Sequence, residues 1–284
     1  MMEEQSMDIL ERIRASYYQL TAAERRVADF VLAQHTQVQF MSITQLADEC
    51  GTAEATVSRF CRSLKLKGFN AFKIELARHS AASAGARNKS VSTDTLAGRV
   101  QELGRLSIDA VHQTLELMDL HQIERAVEMI EKASRVLCIG SGGSMLMASE
   151  CAHLFSTVTG KFLAIPEAHM QVSAVATMDA SGLIFLFSYS GATTGGLQIL
   201  ELAKQRGIRT ILVTRFQKSP AAKLADVVLR CGSNEGPFQF GSVPAKVVQL
   251  VLMDAVFQEY CRRNREDCEE KIQSIASALS AMHV

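Results

Sequence analysis

The chain has 284 residues, enough for about two domains at the usual ~100–200 residues each. Its 30 Lys and Arg residues balance 30 Asp and Glu residues, so a nucleic-acid-binding function requires positive charge concentrated in one segment. The acidic N-terminus lacks an apolar signal core, and no run approaches the ~18 apolar residues that span a bilayer, so we expect a cytoplasmic protein.

The seven cysteines argue against two kinds of structural cross-link. None of them forms a Cys-x-x-Cys pair, and several fall within apolar patterns, where a free thiol behaves as a small core residue. An odd count without metal-ligand spacing is unfavourable for a disulfide frame or a structural zinc site and indicates a reducing compartment. We predict neither a metal ion nor a cofactor.

Residues 1–79 show helical periodicity and predict an all-α domain. The stretch Thr21-Ala22-Ala23-Glu24 has the form of a capping box at the start of a second helix. Ser42 is expected to cap a third helix. These signals together set the order of helices in the first domain.

A helix-turn-helix is predicted inside this domain. A short helix, 43–50, is followed by Gly51 and then by a second helix, 53–64. The glycine takes the tight turn, and the second helix presents its outer face to a DNA groove.

Positive charge is segregated onto and after the second of these helices. From Thr56 to His79 the sequence has six Lys and Arg residues and a single acidic residue, Glu75. A helical dimerisation module with a solvated basic face is the alternative, but the segregation favours DNA binding. We expect base contacts from Glu54, Ala55, Thr56 and Arg59, and phosphate contacts from Arg62, Lys65, Lys67 and Lys73.

Residues 80–95 are small and polar without an apolar period, which predicts a linker and a domain boundary. A long helical pattern follows over 96–133. The second domain is therefore expected to cover 96–284.

From Arg135 onward the pattern alternates between strand and helix. Continuous apolar strands separated by helices indicate a parallel sheet that is covered on both faces, hence a doubly wound α/β domain. The five expected strands are 136–139, 162–165, 183–187, 210–213 and 227–229, with helices beginning near Ser144, His169, Thr194, Pro220 and Val243.

Two strand ends carry glycine and serine together, at Gly140–Ser144 and at Ser188–Gly196. Turns of this kind expose backbone N–H groups at the positive end of a helix dipole, beside several hydroxyl groups. Ligands of doubly wound sheets bind at the carboxyl ends of the strands. The two turns therefore predict one site for a small phosphorylated ligand.

Nucleotide binding is the weaker interpretation of these turns. The first turn begins like a dinucleotide fingerprint, but Met145 stands where the last glycine is required. The second turn lacks the Gly-Lys-Ser/Thr ending of a P-loop.

The second turn also carries a resemblance. Ser188-Tyr189-Ser190-Gly191-Ala192-Thr193 resembles the S-x-S-G-x-T signature of the sugar isomerase (SIS) domain, and Gly140-Ser141-Gly142 sits where that family has its first ligand loop. The stretches 20–25, 47–51, 55–64 and 67–73 resemble the helix-turn-helix of RpiR-type transcriptional regulators. The joint resemblance covers nearly the whole chain.

The resemblance implies a DNA-binding regulator of sugar or amino-sugar catabolism. It further implies a flavodoxin-like SIS domain that senses a phosphosugar. The expected ligand-binding residues are Gly140, Ser141, Gly142, Ser144, His169, Ser188, Ser190, Gly191, Thr193, Thr194 and Glu235.

The sequence departs from the family pattern at three places. Thr52-Ala53 replaces the usual Val-Ser after the turn glycine, so we expect Thr52 to cap the recognition helix by a one-residue shift. Lys65 stands where glycine is common, and Lys246 stands where an arginine is usual. A lysine offers a point charge without a bidentate fork.

A sugar-phosphate isomerase with a helical appendage is the alternative function. Isomerisation requires a general base within reach of the ligand, and the candidates are Glu150, Glu167, His169 and Glu235. A single carboxylate or histidine near a sugar is more often a binding group, so we expect no enzyme activity.

Operator recognition generally needs two half-sites held by protein symmetry, so we expect a homodimer or homotetramer. The apolar helices at 96–133 and 243–262 are the candidate interface. Ligand binding would shift the helices after the two turns and change half-site spacing. The sequence specifies neither the phosphosugar, nor the operator, nor the sign of regulation.

Overall fold

A computed structural model of the chain describes residues 8–84, 95–233 and 242–280. These residues form two compact units, one reaching to Gly104 and the other comprising Arg105–Ser233 and the chain from Val243 onward.

The first unit contains the predicted succession of helices around one apolar core. Ile13, Val27, Phe60 and Phe72 are fully buried there, and the rings of Phe60 and Phe72 meet edge to face at 5.5 Å. The helices are α1 (Ile9–Ser16), α2 (Ala22–Val38), α3 (Ile43–Glu49), α4 (Glu54–Ser63) and α5 (Phe69–Ala84).

Side chains cap two of these helices as predicted. Thr21 and Glu24 form a capping box at the start of α2. Ser42 caps α3 and is itself part of a second capping box with Gln45. The expected cap of α4 by Thr52 is wrong, because the N-cap is Ala53 without a side-chain bond, and the Thr52 hydroxyl is buried without a hydrogen-bond partner in the described chain.

The turn between α3 and α4 closes with a Schellman motif. The Gly51 N–H donates to the Asp48 carbonyl over 3.0 Å, and the Thr52 N–H donates to the Ala47 carbonyl over 2.9 Å. Gly51 has φ +58°, a left-handed conformation that glycine adopts without steric cost.

Helix α4 ends in the same motif with a lysine in place of the glycine. The Lys65 N–H donates to the Arg62 carbonyl, and the Leu66 N–H donates to the Cys61 carbonyl. Lys65 has φ +59°, and it is the single residue other than glycine with positive φ in the described ranges. The sequence departure at Lys65 thus places a side chain in a conformation that its Cβ disfavours.

The second unit is built on five strands with helices between them. Helix α6 (Leu96–Leu117) crosses the division between the units. The remaining elements are α7 (Leu120–Lys132), β1 (Val136–Gly140), α8 (Gly143–Ser156), β2 (Phe162–Ala164), α9 (Ala168–Thr177), β3 (Leu183–Phe187), α10 (Thr194–Gln205), β4 (Arg209–Thr214), β5 (Val227–Arg230), α11 (Val243–Arg263) and α12 (Arg265–Ser280).

All strand pairs of the sheet are parallel, in the order β2-β1-β3-β4-β5. Strands β1 and β3 are buried at every position, as continuous apolar runs predict. One face packs against α7, α8 and α11, and the other packs against α9 and α10. The doubly wound fold with the flavodoxin-like strand order is confirmed.

Three details of the sequence-based prediction are wrong. The helical stretch 96–133 is interrupted, because the Asp119 carboxylate accepts the N–H groups of His121 and Gln122 and starts a new helix, α7. The chain near Pro220 forms turns and no helix. Residues 80–84 continue α5, so the predicted linker begins too early.

We predict that Lys65→Gly stabilises the first unit by about 1 kcal/mol, since glycine removes the Cβ clash of the left-handed conformation. Chemical denaturation of the full-length protein, followed by a probe in the first unit, measures this change. Lys65→Ala is the matched control, because it removes the same charge and keeps the clash. A gain in both variants would assign the effect to charge.

Candidate functional site

The two turns predicted to bind a ligand lie side by side. Strands β1 and β3 are neighbours in the sheet, and Gly140 pairs with Phe187 at their carboxyl ends. The chain order reverses between these two strands, and such a crossover point is where doubly wound sheets bind ligands. The sheet therefore brings both turns to one edge.

Two glycines shape the first turn. A Cβ on Gly140 would lie 2.6 Å from the Ser144 carbonyl carbon and 2.9 Å from the Met145 nitrogen, so α8 packs directly against the end of β1. Gly142 is the N-cap of α8 and has φ +56°. Ser141 is exposed at this turn, and Ser144 is half-buried.

The second turn is closed by its own hydroxyl and backbone groups. Ser188 is 5% exposed, and its carbonyl accepts the Gly191 N–H over 3.1 Å. The Ser188 and Thr193 hydroxyl oxygens are 3.5 Å apart, and the Ser190 hydroxyl accepts the Ala192 N–H over 3.3 Å. The turn is thus preformed, with Ser190 and Thr193 at the surface.

Gly191 fits where no other residue does. It has φ +59°, and a Cβ there would overlap the side chain of Ser219. The Ala221 N–H donates to its carbonyl over 2.9 Å. The second turn is therefore tied to the segment that follows β4.

Helix α10 opens toward this edge with unsatisfied donors. Within the described residues, the N–H groups of Thr194, Gly195 and Gly196 make no hydrogen bond, and the first helical bond runs from Leu197 to Thr193. Free N–H groups at a helix N-terminus, beside the exposed hydroxyls of Thr193 and Thr194, suit a phosphate group.

Gln171 is a residue of this edge that sequence reasoning missed. It is 5% exposed on α9, and its amide nitrogen donates to the Gly140 carbonyl over 3.1 Å and to the Ile165 carbonyl over 2.8 Å. The amide thus joins the ends of β1 and β2. The signal was a single amide at the start of the mostly apolar stretch Gln171–Ala176, in which Ser173 is the other polar residue.

Two of the candidate general bases, Glu167 and Glu150, lie beside other groups of the protein. Glu167 caps α9 by accepting the N–H groups of His169 and Met170, and these hydrogen bonds hold its pKa below the ordinary value. The His169 side chain is exposed, and a Glu150 oxygen lies 3.6 Å from His153.

Two further positions singled out in the sequence are Glu235, an expected ligand-binding residue, and Lys246, where an arginine is usual. Glu235 lies outside the described residues. Lys246 is half-buried in the first turn of α11.

The outer face of α4 is the candidate DNA-reading surface. Ala55, Arg59 and Arg62 are exposed at helical spacing, with half-buried Ser58 between them. Thr56, for which a base contact was expected, is only 5% exposed and packs into the core, so its side chain does not lie on this exposed face.

Two other residues expected to contact DNA are engaged within the first unit. A Glu54 carboxylate oxygen accepts the Thr44 hydroxyl over 2.7 Å, so it ties α4 to α3. Lys73 is half-buried, its ammonium donates to the Met41 carbonyl over 3.3 Å, and it lies 5.7 Å from the centre of the Phe69 ring. The other three residues expected to contact phosphates, Arg62, Lys65 and Lys67, are exposed.

Comparison with known proteins identifies two different family domains along the chain. A model of the rpiR-family helix-turn-helix domain matches residues 7–83, and a model of the SIS domain matches residues 129–258. An HTH-type transcriptional regulator of Caldanaerobacter subterraneus subsp. tengcongensis is 28% identical over 274 residues, covering 96% of this chain and 97% of that protein. The chain is an RpiR-type regulator.

Two further proteins match at similar length. The regulator HexR of Pseudomonas aeruginosa is 26% identical over 276 residues, covering 96% of this chain and 95% of HexR. The solved structure of the Vibrio vulnificus NanR protein complexed with ManNAc-6P superposes with a TM-score of 0.88 at 26% identity, over 98% of this chain and 100% of NanR.

The described part of this RpiR-type chain contains no helix long and apolar enough to cross a membrane. It also contains no group of three His, Cys, Asp or Glu side chains placed to hold a metal ion. All seven cysteines are free thiols.

We predict that Gly191→Ala destabilises the second unit by about 2–4 kcal/mol, because the added Cβ is strained and overlaps Ser219. Thermal unfolding of both variants tests this. Gly195→Ala is the control, since its Cβ would meet no atom within 4 Å and alanine favours the helix by about 0.5 kcal/mol. Equal effects of the two substitutions would contradict the assigned shape of the turn.

We also predict an acid-labile contribution from Glu24 in the first unit. Its carboxyl is 6% exposed, and burial raises its pKa, but hydrogen bonds from Thr21 and Ser63 outweigh this and leave the pKa below its ordinary value of 4.5. Because the pKa is lower in the folded state than in the unfolded state, the ionised carboxylate stabilises the fold above about pH 4.5. This stabilisation is lost as the pH falls through the folded-state pKa.

Glu24→Gln removes this dependence while keeping the shape of the side chain. Urea unfolding between about pH 6 and pH 3 should show the native protein losing its stability advantage over the variant as the pH falls. A constant difference across this range would show that the charge of Glu24 contributes nothing.

Proposed function

We propose that this RpiR-type regulator binds an operator through α4 and senses a phosphosugar through Gly140–Ser144 and Ser188–Thr194. The observation that carries the sensing function is the meeting of two hydroxyl-bearing turns at the crossover of the sheet, beside free N–H groups of α10. The sequence order assigns DNA binding to the first domain and sensing to the domain after the linker.

The chemistry of the site favours the phosphate of the effector as its anchor. The backbone N–H groups of Thr194, Gly195 and Gly196 and the surface hydroxyls of Ser190 and Thr193 are donors for phosphate oxygens. The complex of NanR with ManNAc-6P supports a phosphosugar or amino-sugar phosphate as the class of ligand.

The proposed DNA contacts come from one face of α4 and the residues after it. Ala55, Ser58 and Arg59 would meet base edges in the major groove. Arg62, Lys65 and Lys67 would meet phosphates. Ser58 joins this set because it lies between Ala55 and Arg62 on the exposed face.

Regulation requires that the two domains communicate in a symmetric assembly. We propose a cytoplasmic homodimer or homotetramer, since two half-sites need two recognition helices. The exposed apolar side chains of Val100 and Ile108 on α6 and Leu250 on α11 support these helices as the interface. Effector binding would alter half-site spacing by a coupling of about 1–3 kcal/mol.

The isomerase alternative has less support. Glu167, a candidate base, serves as a helix cap, and the Caldanaerobacter relative and HexR are named as transcriptional regulators. The alternative predicts conversion of a phosphosugar, which chromatography of the sugars from the same binding reactions would detect.

The function is tested by fluorescence anisotropy with DNA from upstream of the gene and its neighbours, at two salt concentrations, with a panel of phosphosugars. Lys67→Ala should weaken binding to all sequences alike and lower the salt slope by about one. Ser190→Ala should lower the affinity for the effector and leave operator affinity intact. Each variant serves as the control for the other site.

Three outcomes would contradict the proposal. A change of base preference in Lys67→Ala would show that this lysine reads sequence. Equal loss of effector and operator binding in Ser190→Ala would indicate misfolding of the turn. Absence of specific binding, with one sugar converted in the same tubes, would establish an isomerase.

A further inference from the structure

The guanidinium of Arg59 is held by a neighbour on its own helix. The Arg59 Nη2 donates to the Thr56 hydroxyl oxygen over 3.1 Å, one turn earlier in α4. Thr56 is 5% exposed, so the core fixes the position of its hydroxyl, while the side chain of Arg59 is exposed. A largely buried acceptor thus orients a side chain that faces solvent.

The same turn of α4 is anchored to α2. The Ser63 hydroxyl has a single proton, and its oxygen lies within hydrogen-bond distance of two acceptors, the Arg59 carbonyl at 3.2 Å and a Glu24 carboxylate oxygen at 3.1 Å. Glu24 in turn accepts the N–H and the hydroxyl of Thr21. The positive charge of Arg59 contributes to the lowered pKa of Glu24, which agrees with their proximity.

A preoriented arginine is suited to a bidentate contact. Ordering a long side chain on binding costs conformational entropy, and a side chain that is ordered beforehand avoids part of this cost. Guanidinium has five N–H donors, and Thr56 uses one of them. The remaining fork matches the O6 and N7 acceptors of guanine in the major groove.

We propose that Thr56 is a positioning residue that holds Arg59 for a bidentate contact with a guanine of the operator. This inference rests on the proposed entry of α4 into the major groove. Thr56 itself touches no base. Its hydroxyl acts through Arg59, which explains why a polar residue occupies a core position of the recognition helix.

The test compares Thr56→Val with Thr56→Ser in the full-length protein. Valine keeps the shape and removes the hydroxyl, whereas serine keeps the hydroxyl. We expect Thr56→Val to bind the operator about three- to tenfold more weakly, with unchanged affinity for unrelated DNA. Thr56→Ser should stay within about twofold of the native protein. Thermal unfolding confirms that each variant folds, and Thr56→Ala supplies a second hydroxyl-free variant.

Combination with Arg59→Ala separates positioning from a structural role. If Thr56 acts through Arg59, the valine substitution has no further effect on operator affinity once Arg59 is removed. Replacing the guanine should likewise abolish the difference between native protein and Thr56→Val. An equal loss in both backgrounds, or no loss from either hydroxyl-free variant, would overturn the inference. If Arg59→Ala itself leaves operator preference unchanged, the proposed base contact fails instead.

Discussion

The pairing of β1 with β3 is the constraint on which the candidate effector site depends. These strands are distant in sequence, with β2 and two helices between them, yet they are hydrogen-bonded neighbours that end at the same level. Pairing at this register delivers Gly140 and Ser188 to one edge without any contact between the turns themselves being required. Two turns that are individually weak signals thereby become one candidate site, since hydroxyls and free N–H groups converge where the strand order reverses.

Local chemistry made much of the fold predictable. Capping boxes and continuous apolar strands depend on residues that are close together in the sequence. The starts of α2 and α3 and the positions of β1 and β3 could therefore be predicted. The break before α7 was missed because the apolar period continues across Asp119, which caps the new helix. The helix predicted near Pro220 is wrong because proline is tolerated at the first position of a helix but does not by itself start one.

The site was less predictable because its decisive contacts join residues far apart in the chain. Ala55 and Thr56 lie at the border of the apolar face of α4, and only packing against the other helices decides that Thr56 turns inward. Gln171 reaches Gly140 across 31 positions, which no local pattern records. The residues of the effector site remain predictions, although the turns that carry them are placed as expected.

The two turns of the effector site differ in mechanical freedom. The first is clamped, since the backbone of α8 leaves no room for even a methyl group at Gly140. The second is hydrogen-bonded to the residues that follow β4 and β5. The Tyr189 carbonyl accepts the Arg215 N–H, and the Tyr189 hydroxyl donates to the Ser233 carbonyl over 2.6 Å. A displacement of the second turn would therefore move the ends of β4 and β5, whereas the packing of α8 holds the first turn in place. Strain generated at this edge therefore has a direction, toward the ends of β4 and β5.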